Sequence, residues 1–268
     1  MQALHQERRI GNPRIPISIA ADSKLGGFSR YGPMDRHEVR GLKVEGTELE
    51  RLRARREMLR SMTPEKALEV IEFHKGLNLF QALALAKKEG RLIVPNDVHD
   101  KILIETKDEE YLRQNYPVWT GTLVIYEAPG KPFGEQLVFQ GINFKVSTQF
   151  RGKVNCALVI EHPDFDLVDL GSNRYELKAA DENIHLVKRF PKNSGLYMSH
   201  AEIGVPHGEK VEASLDARYL HRLNDSSYVG LLVSFVLDFH YRGRDVFADF
   251  RYDYAFGVAL LPFAAAER

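Results

Sequence analysis

Residues 226–262 read SSYVGLLVSFVLDFHYRGRDVFADFRYDYAFGVALLP. Two sets of residues interleave in this stretch. Val229, Gly230, Leu231 and Leu232 at the front, Gly243 and Val246 in the middle, and Phe256-Gly257-Val258 with Leu260 at the end form an apolar skeleton. It reads as buried strands joined by a turn. Around the skeleton stand His240, Tyr241, Asp245, Phe247, Asp249, Phe250, Tyr252, Asp253 and Tyr254, with Ser234, Phe235, Leu237 and Ala255 at the flanks. These positions are the candidate ligand contacts. Tyrosine and phenylalanine give large, rigid contact area at small entropic cost, and Asp, Arg and His add directional polar contacts. The run Tyr252-Asp253-Tyr254 cannot bury every side chain, so aromatic surface is expected outside the core. The competing reading is an aromatic-rich core strand. Against it, Asp245, Asp249 and Asp253 recur every four residues and are costly inside a core.

The same stretch contains no Lys, Glu, Gln, Met or Trp, although these types make up about a fifth of the rest of the chain. All five need a purine as the third codon base. Asparagine codons ending in a pyrimidine, altered only at their two adenines, give Tyr, His, Asp, Phe, Ser, Ala, Arg, Leu or Val but none of the five. Strands also disfavour Lys and Glu, so the gap has a structural explanation beside the genetic one.

Upstream, the pattern is helical first and alternating later. Residues 1–46 carry Pro13, Pro16, Pro33 and several glycines without a sustained apolar period, and read as an irregular arm. Thr47 to Arg60 is densely charged, with Leu49, Leu52, Met58 and Leu59 on a loose helical face. Its Arg51, Arg53, Arg55 and Arg56 are expected to be solvated among interleaved glutamates. Thr63 caps a helix with Pro64 in its first turn, Ala67, Leu68, Val70 and Ile71 as its stripe, and Gly76 as its stop. A second helix carries Leu79, Ala82, Leu83 and Ala86 and ends at Gly90. Pro95-Asn96-Asp97 opens a third with Val98, Ile102 and Leu103. From Trp119 the period becomes that of strands: Thr120 to Glu127, Gln136 to Ser147, Val154 to Ile160, Tyr175 to Phe190, Glu209 to Ala213, Ala217 to Leu223, Tyr228 to Leu237 and Phe256 to Leu261. Helices followed by many mostly antiparallel strands predict an α+β fold. The division expected is an arm and charged helix over 1–62 and a domain over 63–268, its variable region at about 226–262.

The run from Phe239 to Val258 resembles the variable proteins of diversity-generating retroelements. In that family a C-terminal repeat is rewritten at adenines by a dedicated reverse transcriptase, around fixed Gly, Val and Arg positions and a closing phenylalanine-glycine-valine strand. A second segment, Ala82 to Pro95 with Gly90-Arg91-Leu92-Ile93-Val94-Pro95, is similar to the early helix and Gly-x-Arg-Leu-Pro turn of the same superfamily, with Ile93 and Val94 inserted before the proline. The resemblance covers roughly Thr63 to Pro262 and leaves Thr120 to Pro191 unaccounted for. It implies a C-type lectin-like fold related to the formylglycine-generating enzymes, with non-enzymatic recognition of a protein or other surface ligand. The catalytic cysteine pair of the enzyme branch is absent, as are the Glu-Pro-Asn and Gln-Pro-Asp sugar motifs.

Other function classes find less support. The chain has 37 Lys and Arg against 37 Asp and Glu, so no global basic field draws it to nucleic acid or an anionic membrane. No apolar stretch has the length of a membrane span or signal sequence, which predicts a cytoplasmic protein, with display by a non-classical route or on a virion also open. A monomer is expected. The single cysteine, Cys156, lies in an apolar run and reads as a buried, inert thiol. His185, His200, His207 and His221 lack metal-site spacing, so no metal and no cofactor is expected. One enzyme signature remains. His162-Pro163-Asp164 followed by Glu176-Leu177-Lys178 fits the PD…(D/E)xK pattern of metal-dependent nucleases, which needs two carboxylates on adjacent strands to hold a divalent ion. A second alternative is an assembly protein whose aromatic strand is an oligomer interface.

Overall fold

The computed structural model describes residues 46–106, 118–212, 217–222, 226–238, 241–246 and 254–259, those from residue 233 onward by their backbone. The expected arm over 1–45 and the end residues of three expected strands, Ala213, Leu223 and Leu260-Leu261, lie outside the described residues. Thr47 opens the first helix, α1 (Glu48–Ser61). Its hydroxyl accepts from the Glu50 amide at 3.3 Å, and the Glu50 carboxylate accepts from the Thr47 amide at 2.7 Å. This capping box satisfies donors that a helix start leaves unpaired. Helix α2 (Pro64–Glu69) begins at the expected place but stops early. The residues that read as its second half form strand β1 (Ile71–Leu77), antiparallel to the last described strand of the chain. Ile71 and Phe73 suit a pleated backbone, and a ladder to a distant strand outweighs a short helical period.

Helix α3 (Leu79–Glu89) buries Leu79, Ala82 and Ala86 and ends at Gly90, as its sequence reading has it. Asn78 and Gln81 form a reciprocal cap with both bonds at 2.9 Å, and Gly90 closes the helix at φ 58°, where a side chain would be strained. Strand β2 (Leu92–Ile93) leads into α4 (Asn96–Thr106), which buries Val98, Ile102 and Leu103 as expected. There follow β3 (Val118–Tyr126), the hairpin β4 (Gln136–Phe139) and β5 (Ile142–Lys145), and β6 (Cys156–Glu161). Next come β7 (Phe165–Asp169), β8 (Tyr175–Ala179) and β9 (His185–Lys188). The chain continues through β10 (Gly195–Ser199), β11 (Pro206–His207), β12 (Ala217–His221), β13 (Tyr228–Asp238), β14 (Tyr241–Val246) and β15 (Tyr254–Ala259). The sequence pattern did not identify β7 or β10, and the described residues of the expected strand at Glu209 are not extended pairs.

The result is an α+β fold with few helices and mostly antiparallel strands. Among the described residues eleven strands form one sheet with the order β1-β15-β3-β13-β14-β12-β10-β11. β2 also pairs with β15, and β6 and β9 continue from the second half of β3. A smaller sheet has the order β4-β5-β8-β7. Every residue of β3 is buried, as befits a strand covered on both faces. Its neighbouring residues Val118 and Trp119 enter different apolar clusters, and so do Leu92 and Ile93 of β2. Side chains alternate across a strand, so the two clusters occupy opposite faces of the large sheet. One joins α1, α2 and α4 to the sheet; the other joins α3 and the small sheet to it. Helix α1 is therefore packed on the 63–268 body through Leu52 and Leu59. Among the described residues no helix is long and apolar enough to cross a membrane.

Candidate functional site

Strand β13 lies between β3 and β14, and β15 lies on the far side of β3. Their register decides where the candidate contacts fall. Ser234 stands opposite Val118 on one side and Arg244 on the other, and Val118 in turn stands opposite Ala255. Phe235 is opposite Gly243, and Asp238 is opposite Tyr241. The end of β13 and the starts of β14 and β15 thus share one end of the sheet. That end carries Ser234, Phe235, Leu237, Tyr241, Tyr254 and Ala255. Asp245 sits one step further in, between Val233 and His221. His240, Phe247, Asp249, Phe250, Tyr252 and Asp253 lie outside the described residues. They belong to the chain stretches between Asp238 and Tyr241 and between Val246 and Tyr254.

The supporting framework is densely packed. Tyr228, Val229, Leu231 and Leu232 at the start of β13 are fully buried, in line with a scaffold role for the front of the motif. Tyr228 stacks on Tyr126 with 5.2 Å between ring centroids, and the Thr120 hydroxyl donates to the Leu232 carbonyl at 2.9 Å. Trp119, on the β3 backbone between Val233 and Phe256, is also fully buried. On the other flank, β12 runs parallel to β14. The buried Arg218 of β12 faces Asp100 of α4 at 3.5 Å and donates to the Ala217 carbonyl at 2.9 Å. The other Asp100 oxygen accepts from the Ser199 hydroxyl at 2.9 Å. Arg222 lies 4.5 Å from the Tyr126 ring centroid and 5.2 Å from that of Phe190, and donates to the carbonyls of Glu127 and Pro191. Burial pulls its pKa down against the favourable tyrosines.

A second constellation, which local sequence reasoning missed, joins α1 to the body. Arg53 donates to Asp164 at 2.6 Å and Arg56 to the other oxygen of the same carboxylate at 2.7 Å. Arg60 donates to Asp97 at 2.7 Å and also to Glu161. Burial alone would lower the Arg60 pKa, but its bonds to Asp97 and Glu161 reverse the sign and hold it charged. The same burial pushes the Asp97 carboxyl up, with Arg60 opposing. The expected solvated face is therefore corrected for Arg53 and Arg56, and for Arg55, which donates to the Gly90 carbonyl at 2.7 Å. The spacing of Arg53, Arg56 and Arg60, three and then four residues apart, is that of one helix face, and this was the signal available. Beneath them His162 is buried, its Nδ1 accepting from the Ile93 amide at 3.3 Å. Burial is the main cause that lowers its pKa to about 4; Arg56 adds to the shift and Asp164 opposes it.

The nuclease pattern is not assembled. The β7–β8 register puts Glu176 opposite Val168, four residues along the strand from Asp164, or about 13 Å at the usual strand rise. Asp164 is engaged by two arginines, and Glu176 pairs with Lys178 at 3.1 Å. Among the described residues no three His, Cys, Asp or Glu side chains are grouped to hold a metal ion. His200 and His207 face each other at 5.2 Å, whereas His185 and His221 lie on β9 and β12. Cys156 is buried, which raises its thiol pKa. A cleft of about 600 Å³ opens between α1, α4, the end of β10 and the 200–204 loop, but Arg60 with Asp97 and Asp100 with Arg218 are already paired there. No protein-family model, curated protein or solved structure matches the chain.

Proposed function

We propose that this chain is a non-enzymatic, monomeric ligand-binding protein of C-type lectin type. Its contact surface is the sheet end formed by the close of β13 and the starts of β14 and β15, together with residues 239–240 and 247–253. Adenine-directed rewriting of the 226–262 segment diversifies that surface. The observation that carries this reading is the register: Ser234, Phe235, Leu237, Tyr241, Tyr254 and Ala255, separated in sequence, come to one end of three strands. A second observation favours the family resemblance. The Gly90–Pro95 turn and the Phe256-Gly257-Val258 strand are ladder neighbours, with Ile93 opposite Val258 and Leu92 opposite Ala259.

A diversified surface must tolerate change without losing the fold. Substitution of His240, Phe247, Asp249, Phe250, Tyr252 or Asp253 by Asn is expected to alter unfolding free energy by no more than about 0.5 kcal/mol each. Leu231→Ala is expected to cost about 2–5 kcal/mol. Urea denaturation reads both. If the six substitutions each cost more than about 2 kcal/mol, the segment is an aromatic core strand. If they break up a homo-oligomer seen by sedimentation, it is an assembly interface. Either result contradicts the proposal.

A further inference from the structure

We propose that His162 is an acid-sensitive pin: its protonation releases α1 from the sheet while the rest of the fold stays closed. The imidazole sits where three elements meet. Its Nδ1 accepts the Ile93 amide of β2, its own amide donates to the Gly121 carbonyl of β3 at 2.7 Å, and its carbonyl faces the Arg56 guanidinium of α1 at 3.5 Å. Its ring lies edge-on to Phe165, with 6.1 Å between centroids. A proton on Nδ1 abolishes the bond from Ile93, because a protonated nitrogen donates and cannot accept. It also adds a buried cation beside Arg56. The charged groups around it are Arg53, Arg56 and Arg60 from α1, Asp97 from α4, and Glu161 and Asp164 from its own corner.

Helix α1 is the element able to move. No strand pairing ties it down; it is held by Leu52, Leu59 and the side-chain bonds of its arginines and of Lys101, which donates to the Met62 carbonyl at 2.9 Å. Elements tied this way open at lower free energy than strands inside a ladder. Lifting α1 hydrates His162 and returns it toward its ordinary pKa of about 6.5. The open state then binds a proton that the closed state refuses until about pH 4. Opening is therefore favoured progressively as pH falls from 6.5 toward 4, by roughly 30-fold between pH 7.5 and pH 5. Asp97 works in the opposite direction, since burial raises its carboxyl pKa in the closed state.

Amide hydrogen exchange on the full chain, corrected for the intrinsic pH dependence of exchange, tests this. Between pH 7.5 and pH 5 the α1 amides from Leu52 to Ser61 are expected to lose about 30-fold of their protection, and at both pH values to exchange faster than those of β3 and β6, because α1 opens without the sheet. His162→Asn, which keeps an acceptor near Ile93 but does not titrate, is expected to remove that difference. The proposal is overturned if α1 keeps its protection at pH 5, if its amides are there as protected as those of β3 and β6, so that α1 opens only with the whole fold, or if H162N keeps the wild-type dependence. NMR titration of the wild-type imidazole is a second readout, independent of the variant's folding. A midpoint near 6.5 with α1 still protected also overturns it.

Discussion

Arg218→Ala is expected to destabilise the protein by about 3–5 kcal/mol, lowering Tm by on the order of 10 °C. The guanidinium and the Asp100 carboxylate are both nearly excluded from water, at 1% and 6% side-chain exposure. Removing the cation leaves the carboxylate to Ser199 and its remaining neighbours in a site too dry to hydrate it. The pair contributes little beyond an apolar replacement, because desolvating two charges offsets most of their attraction. Arg218→Met with Asp100→Leu is therefore expected to recover most of the loss. Thermal unfolding of the single and double variants checks this. Equal losses in R218A and the double variant contradict it. The consequence for the site runs through β12, whose Tyr219, Leu220 and His221 pair with Gly243, Arg244 and Asp245 of β14.

Trp119→Ala is expected to cost about 3–5 kcal/mol, the usual range for truncating a fully buried Trp. Trp119 lies in the apolar cluster that joins α3 and the small sheet to the large one, and its backbone pairs with Val233 on one side and Phe256 on the other. A void at this point lies directly beside the strands that carry the proposed contacts. Guanidinium denaturation gives the size of the effect, and hydrogen exchange gives its place: β13 and β15 amides should lose more protection than those of the small sheet. A cost below about 1 kcal/mol would show that Trp119 is not the keystone of these strands.

Where local chemistry decides structure, the chain was readable. Asn78, Gln81 and Gly90 cap α3 as their types require, and Val98, Ile102 and Leu103 face the core at helical spacing. Where a distant partner decides, it was not. Ile71 to Leu77 continued a helical pattern until β15 supplied a ladder. Arg53 and Arg56 looked solvated because Asp164 lies 111 and 108 residues away, and nothing local marked Asp97 and Glu161, 37 and 101 residues on, as partners of Arg60. Phe165 to Asp169 carries two aspartates, which strands disfavour, yet it forms β7 against β8. The candidate contacts show the same division. Their residue types, and the absence of the five types that require a purine as third codon base, are properties of the sequence. The arrival of Ser234, Phe235, Leu237, Tyr241, Tyr254 and Ala255 at one sheet end depends on β13 pairing with β14 and on β3 pairing with both β13 and β15, which no local pattern specifies.

Sequencing the DNA on either side of the gene tests the diversification claim most directly. The account predicts a near-copy of the segment encoding residues 226–262 that differs from it only where the copy has adenine, beside a reverse transcriptase gene. Mismatches spread over all four bases, with no such gene nearby, would contradict it.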